Sequence, residues 1–492
     1  MMLSRKSLTE EEVARWGFSW PTVALMALPF LLFASWIGRN IFSLSFRILE
    51  HQQNLGLDYA MGVLWWCILA LGILAFGGEN RGLLSVGWCA KFLVVLLGML
   101  FYEQHYPLDA YWYYGVTVNG TVPMWPELGD LRKEFIPSFK ALRDNADVFE
   151  KSPVSIENWL RAVMLVGHLA GPYYHAQKVL YAFSGLMGSW LFYRAITTAL
   201  GREYHPAFYL MACFPSVIFW SSILGKDPLQ FFFLGFYAYG SVMWLVEGRL
   251  LSVLYLGVGM YGSFLFRPWT AMLEGVVLVL ATVLGRCRRW QRLAFLCAGL
   301  AMAGTAGGLD PATLEQLLHL DQNKAFMLKS DPTMVFDLLE ERAKGMVTDT
   351  QATIGGGSGG DFTHGSVDLL DAFLAGLYRP LPFEAKNVMV LLTALDNTLL
   401  LILSLWALVK VRLVYFRDAL VLWTGFYTCG WSLMYGFIVL GNFGSGARYK
   451  LQMIPFFLMF LLLIIHKEGR GLLEARLFSY QKALATSVGG RQ

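Results

Sequence analysis

The chain has 492 residues, of which 56% are hydrophobic and only 15% charged, and its mean hydropathy is +0.50. That composition excludes an ordinary soluble globule and predicts an integral membrane protein. The net charge of +4 says little by itself, and no nucleic-acid partner is expected.

The opening "SLTEEEVARW" carries a capping box, Ser7 with Glu10, and predicts a short cytoplasmic helix leading into the membrane. Arg5, Lys6 and Arg15 precede an apolar stretch with no small-residue cleavage site after it, so this stretch reads as an uncleaved first span. A bilayer core needs ~20 apolar residues per helix, and that rule places about twelve spans. They fall near 18–37, 58–77, 85–102, 176–197, 206–222, 228–247, 250–265, 269–285, 292–307, 387–409, 418–440 and 451–466. The segment 159–171, "WLRAVMLVGHLAG", is too short to cross and is expected at the interface. The expected fold is therefore an all-α polytopic membrane protein, a single transmembrane domain over 1–492.

Orientation follows from the basic residues of the short loops. "GRCRRWQR" at 285–292 and "KVRLVYFR" at 410–417 mark the inner side, which places both termini in the cytoplasm. Two long loops, 103–175 and 308–386, then lie outside. The second contains the glycine-rich run "TIGGGSGGDF", which fits either a flap over a cavity or a plain linker. The six cysteines all sit in or beside apolar runs and suggest packing rather than disulfides.

The first long loop begins "EQHYPLDAYWYYG" at 103–115. It places Glu103 and Asp109 beside Tyr111, Trp112 and Tyr113, which suits a general base next to a sugar-stacking or lipid-lining aromatic wall. Glu103, His105 and Asp109, with Asp361 and His364 in the other loop, are also residue types that hold a divalent ion, although their spacing matches no specific site. No other cofactor is expected. Beyond this loop the predicted outer face gathers Lys226 and Asp227 in "SSILGKDP", Arg267 in "FRPW", Arg379 and Glu384 in "YRPLPFEAKN", and Arg448 in "GNFGSGARYK". Cations in such a place suit a phosphate, which Arg grips bidentately and Lys meets as a point charge. The plainer readings are headgroup anchors for the arginines and an N-terminal helix cap for Asp227 with Pro228. Inside the spans only Lys91, Glu274 and Asp396 stand out, too few for an ion-coupled path. Lys91 is expected to snorkel to the cytoplasmic side, and Asp396 to bond a neighbouring helix.

The segments 106–115, 214–232, 266–269, 378–387 and 441–456 together resemble the GT-C superfamily of membrane glycosyltransferases, of the bacterial envelope-polysaccharide type. That resemblance implies transfer of a sugar from a polyprenyl-phosphate carrier to a glycan, lipid or protein acceptor at the outer face of the bacterial cytoplasmic membrane. It makes Asp109 the loop carboxylate that deprotonates the acceptor hydroxyl, with Glu103 its substitute. Lys226, Arg267, Arg379 and Arg448 would bind the donor phosphate. Tyr111, Trp112, Tyr113, Asp227 and Glu384 would line the substrate. The sequence departs from the family pattern in having two spans before the one that leads into the acidic loop and one Asp there instead of an acidic pair. The alternatives are a translocase, or a polymerase, of lipid-linked polysaccharide.

Overall fold

The structure is a computed structural model that describes residues 55–98, 110, 114, 162, 163, 165–288, 290–293, 369–385, 388–441 and 443–466. Every regular element among these residues is helical, and no strand occurs among them. In chain order the helices are α1 Leu55–Phe76, α2 Arg81–Phe92, α3 Tyr174–Leu200, α4 His205–Cys213, α5 Pro215–Trp220 and α6 Lys226–Val242. They continue with α7 Leu251–Phe266, α8 Pro268–Leu284, α9 Leu369–Tyr378, α10 Val388–Lys410, α11 Ala419–Gly441, α12 Phe443–Lys450 and α13 Ile454–His466. Both α2 and α6 run on into wider π-helical turns, Leu93–Gly98 and Met243–Glu247.

Among the described residues, three helices are long and apolar enough to cross a membrane: Gly56–Phe76, Lys226–Glu247 and Thr393–Lys410. Two of them turn an apolar side away from the rest of the protein. Leu64, Ile68 and Leu71 are exposed on α1, and Leu391, Leu395, Leu399 and Ile402 recur at helical spacing on α10. Such faces are costly in water and natural against lipid.

The inner helices approach one another closely because their contact points are small residues. On α7, a Cβ at Gly259 would stand 2.4 Å from the backbone nitrogen of Tyr237 on α6. On α11, a Cβ at Gly436 would stand 2.0 Å from the carbonyl of Ala372 on α9. Aromatic rings fill the space between these crossings: Tyr427 stacks on Phe456 at 3.8 Å, and the buried Trp423 donates to Tyr237 Oη at 2.8 Å.

Several expected spans match described helices within a few residues, among them 176–197, 250–265, 269–285, 387–409 and 418–440. The expected span 206–222 is instead two short helices, α4 and α5, that break at Phe214. Phe214 precedes Pro215, whose ring disfavours helical geometry in the residue before it, and it adopts φ −58°, ψ 125°. The last span begins after a turn at 451–453, so its helix is shorter than the apolar run. The stretches 18–37 and 294–307, and the glycine-rich run, lie outside the described residues.

Two charged residues within the apolar helices behave differently. Asp396 bonds a neighbouring helix as expected: its Oδ2 accepts the Ser216 backbone N–H at 2.5 Å, and so caps the start of α5, where no side chain of α5 does so. Lys91 does not snorkel. Fully buried, it donates to the Ser221 carbonyl at 2.8 Å, to the Ser221 hydroxyl and to the Ser222 hydroxyl at 3.0 Å. The carbonyl that a C-terminal turn leaves unpaired inside the protein supplies a better partner than distant water.

Candidate functional site

One end of the helix assembly collects the start of α6, the end of α7, the start of α8, the loop before α10, and α12. Arg267 lies between α7 and α8 because Pro268 follows it. The residue before a proline is pushed out of the helical region, here to φ −147°, ψ 81°, and Pro268 then opens the next helix. The Arg267 N–H closes α7 on the Ser263 carbonyl at 2.7 Å, and its own carbonyl accepts the Thr270 N–H at 2.9 Å. Its side chain is thereby aimed inward rather than along either helix.

What it meets is Asp227, in the first turn of α6. Arg267 Nη2 donates to Asp227 Oδ1 at 2.6 Å, and Arg448 Nε, from α12, donates to Oδ2 at 2.5 Å. One carboxylate thus holds two guanidiniums, leaving the triad with one net positive charge. Its members differ in exposure: the side chains of Asp227 and Arg267 are 2% and 6% exposed, and that of Arg448 is 22% exposed. The buried pair is the fixed base, and Arg448 is the edge that faces outward. Arg267 is held from its other face by Tyr449, whose ring centroid lies 4.6 Å from the guanidinium carbon. Tyr449 adjoins Tyr435 at 5.3 Å, Tyr435 stacks on Trp431 at 4.9 Å, and the Trp269 indole N–H donates to Tyr435 Oη.

Beside the triad, Arg379 donates through Nε to Glu384 Oε1 at 2.7 Å, with a second contact from Nη2. Glu384 Oε2 accepts the Leu381 N–H at 2.7 Å, so this carboxylate shapes the loop as well as pairing the arginine. Lys450, two residues after Arg448, is fully buried and donates to the Arg379 carbonyl at 2.6 Å and to Asn397 Oδ1 at 3.1 Å. Asn397 in turn donates to the Pro380 carbonyl at 2.9 Å. Lys450 and Asn397 therefore strap the loop down next to α12.

The structure brings together Asp227, Arg267 and Arg448, and it sets Arg379 with Glu384 on an adjoining loop. Asp227 neither lines an open surface nor caps its helix through its side chain, since both its oxygens are held by arginines and α6 has no side-chain cap. Lys226 is half-buried at the first residue of α6. Asp109, Glu103, Tyr111, Trp112 and Tyr113 lie outside the described residues, as do His105, Asp361 and His364. Ala110, next to Asp109, is described and buried. It belongs to a contiguous apolar cluster with Tyr114, Tyr174, Tyr181, Leu224 and Phe266, and the last two stand close in sequence to Lys226 and Arg267. Tyr114 Oη donates to the Pro172 carbonyl at 3.0 Å. No group of three metal-ligating side chains occurs among the described residues.

Sequence reasoning missed the aromatic wall of Trp269, Tyr435 and Tyr449, because it looked for rings in the long loop only. It also missed a buried pair at the start of α1 and α3, where His175 Nδ1 contacts Asp58 Oδ2. A lone Asp opening the apolar run "LDYAMGVLWW" and a lone His opening "HAQKVLYAF" were the available signals.

No known protein family, no curated protein and no solved structure matches this chain.

Proposed function

We propose that this protein is a membrane glycosyltransferase that takes a sugar from a polyprenyl-phosphate carrier at the extracytoplasmic face of a bacterial cytoplasmic membrane. The observation that carries the reading is the Asp227-centred pair of arginines, set at one end of long apolar helices. A lipid monophosphate leaving group needs charge stabilisation at bilayer-surface depth, where a preorganised guanidinium does more than it would in water. Asp227 supplies that preorganisation by fixing both arginines, and Arg448 presents the outward edge to the phosphate. Arg379, half-exposed in its adjoining loop, adds a second cation, and the half-buried rings of Tyr449 and Trp269 give a sugar a face to rest on. No nucleotide is required, because the carrier phosphate is itself the leaving group.

Among the described residues, the cations proposed to meet the phosphate, Arg267, Arg379 and Arg448, stand together at one end of the helices rather than along a path through them, which favours an enzyme over a translocase. The test is transfer in liposomes from a panel of radiolabelled polyprenyl-phosphate hexoses and pentoses, set against the matching nucleotide sugars. Transfer from at least one lipid-phosphate donor, and from none of the nucleotide sugars, is the expected result. Transfer from nucleotide sugars alone, or movement of the lipid-linked sugar across the bilayer with no new glycosidic bond, contradicts it.

A further inference from the structure

Asp58, the fourth residue of α1, and His175, the second residue of α3, are 1% and 4% exposed. Asp58 Oδ2 contacts His175 Nδ1 and also lies 3.4 Å from the His175 backbone nitrogen. The imidazole is clamped besides: a Cβ at Gly62 of α1 would stand 2.7 Å from His175 Cβ, and the rings of Tyr59 and Tyr174 lie 5.0 and 5.4 Å away. Its other nitrogen, Nε2, is buried and has no hydrogen-bond partner. A carboxylate on Nδ1 places the ring proton there and leaves the Nε2 lone pair open, the arrangement by which an imidazole accepts a proton. Leaving such an atom unpaired in the interior costs about 1–3 kcal/mol.

The pair is also placed well. Tyr181, six residues further along α3 and hence ~9 Å along its axis, belongs to the same buried cluster as Phe266, the neighbour of Arg267. His175 therefore sits at the same end of α3 as this cluster, to which its neighbour Tyr174 also belongs and which includes the residues close in sequence to Lys226 and Arg267. Among the described residues, the other titratable or charged groups packed around it are Tyr59 of α1 and, on α3 itself, Tyr174 and Lys178, whose Nζ lies 5.2 Å from the Tyr174 ring centroid.

Resting on the glycosyl-transfer reading, we propose that His175 is the catalytic base and Asp58 its positioning residue. The acceptor hydroxyl oxygen bonds to the anomeric carbon while its proton passes to His175 Nε2. The bond from that carbon to the carrier phosphate breaks, and its electron pair leaves with the phosphate, which Arg448 and Arg267 stabilise. The imidazolium then returns its proton to water.

The experiment measures steady-state transfer from the lipid-phosphate donor by wild type, His175→Gln and Asp58→Asn, together with 15N NMR of histidine-labelled wild type and Asp58→Asn, the His175 signals being assigned by their loss in His175→Gln. A general base contributes on the order of 10²–10⁴-fold, so kcat should fall by that factor in His175→Gln with the donor KM unchanged. Asp58→Asn should lose less and should move the ring proton from Nδ1 toward Nε2 in the 15N spectrum, since an amide can donate to Nδ1 where the carboxylate only accepts. The wild-type spectrum should show Nδ1 protonated and Nε2 bare. Transfer by His175→Gln at the wild-type kcat overturns the proposal and leaves the transferase reading intact, and so does a wild-type spectrum with the proton on Nε2. Absence of transfer by wild type from every donor overturns both.

Discussion

The side chain on which the site depends most is Asp227. Each of its oxygens holds a guanidinium, so removing its charge takes the counter-ion from the buried Arg267 and from the more exposed Arg448 together. Breaking one partner of a buried ion pair costs about 3–5 kcal/mol, and Asp227→Asn is expected to lose at least that much stability, read as a fall in the melting midpoint of the detergent-solubilised protein. Arg448→Gln should behave in the opposite way, because the more exposed Arg448 leaves Asp227 still paired with Arg267: stability changes little and donor use suffers. Asp396 is a third case. Its acceptor role toward the Ser216 N–H is that of a helix cap, so Asp396→Ala should cost about 1 kcal/mol and leave the donor KM unchanged, whereas a large rise in KM would place it in the site. Residue types and positions were legible in the sequence for Arg267, Arg379 and Arg448, whose Arg-Pro pairs or Gly-rich surroundings announce helix ends. Pairing was not. Nothing local distinguishes an Asp that caps its own helix from one that reaches arginines 40 and 221 positions away, and for the same reason the partner of Lys91 could not be foreseen.

At the scale of elements, the site exists because helices end where the sequence forces them to. Pro268 turns Arg267 inward between α7 and α8, and Pro215 breaks the run 206–222 so that Ser221 and Ser222 are left to meet Lys91. Hydropathy finds apolar stretches and is blind to such a break when both halves are apolar, so α4 and α5 were read as one span. Helix contacts are equally silent in a hydropathy profile, since they depend on which glycines face one another. Gly436 is decisive between α9 and α11, where an added Cβ would overlap the Ala372 carbonyl. Gly436→Val is expected to destabilise the protein by about 3 kcal/mol or more, visible as loss of monodisperse protein in detergent. Gly72, which has nothing within 4 Å of its Cβ position, should accept Ala without loss.

For the whole molecule, charge placement implies a direction. The loop between α9 and α10, with Phe383 at 84% exposed, belongs to the triad's end, and the turn between α10 and α11, with Leu413 at 90% exposed, lies at the opposite end of α10. In a background with the native cysteines replaced, Phe383→Cys should react with a membrane-impermeant maleimide in intact cells, and Leu413→Cys only after permeabilisation. The reverse pattern would put the arginines in the cytoplasm and remove the outer-face reading. Class and helix placement were readable from composition and apolar runs because they depend on local hydrophobicity, which is a property of each segment alone. That Ala110 and Tyr114 share a buried cluster with Leu224 and Phe266 was not readable, because it joins positions more than a hundred residues apart in the chain.

The central claim is that the Asp227-tethered arginines hold a lipid phosphate, and it can be tested without knowing the sugar. Binding of a polyprenyl monophosphate and of the corresponding polyprenol is measured by native mass spectrometry for wild type and Arg448→Gln. Hydrogen bonds to charged groups contribute about 1.5–3 kcal/mol, so wild type should bind the phosphate more tightly than the alcohol by roughly 10-fold to 100-fold, and Arg448→Gln should lose most of that difference. Equal binding of phosphate and alcohol by wild type, or undiminished phosphate preference in the variant, would contradict the account.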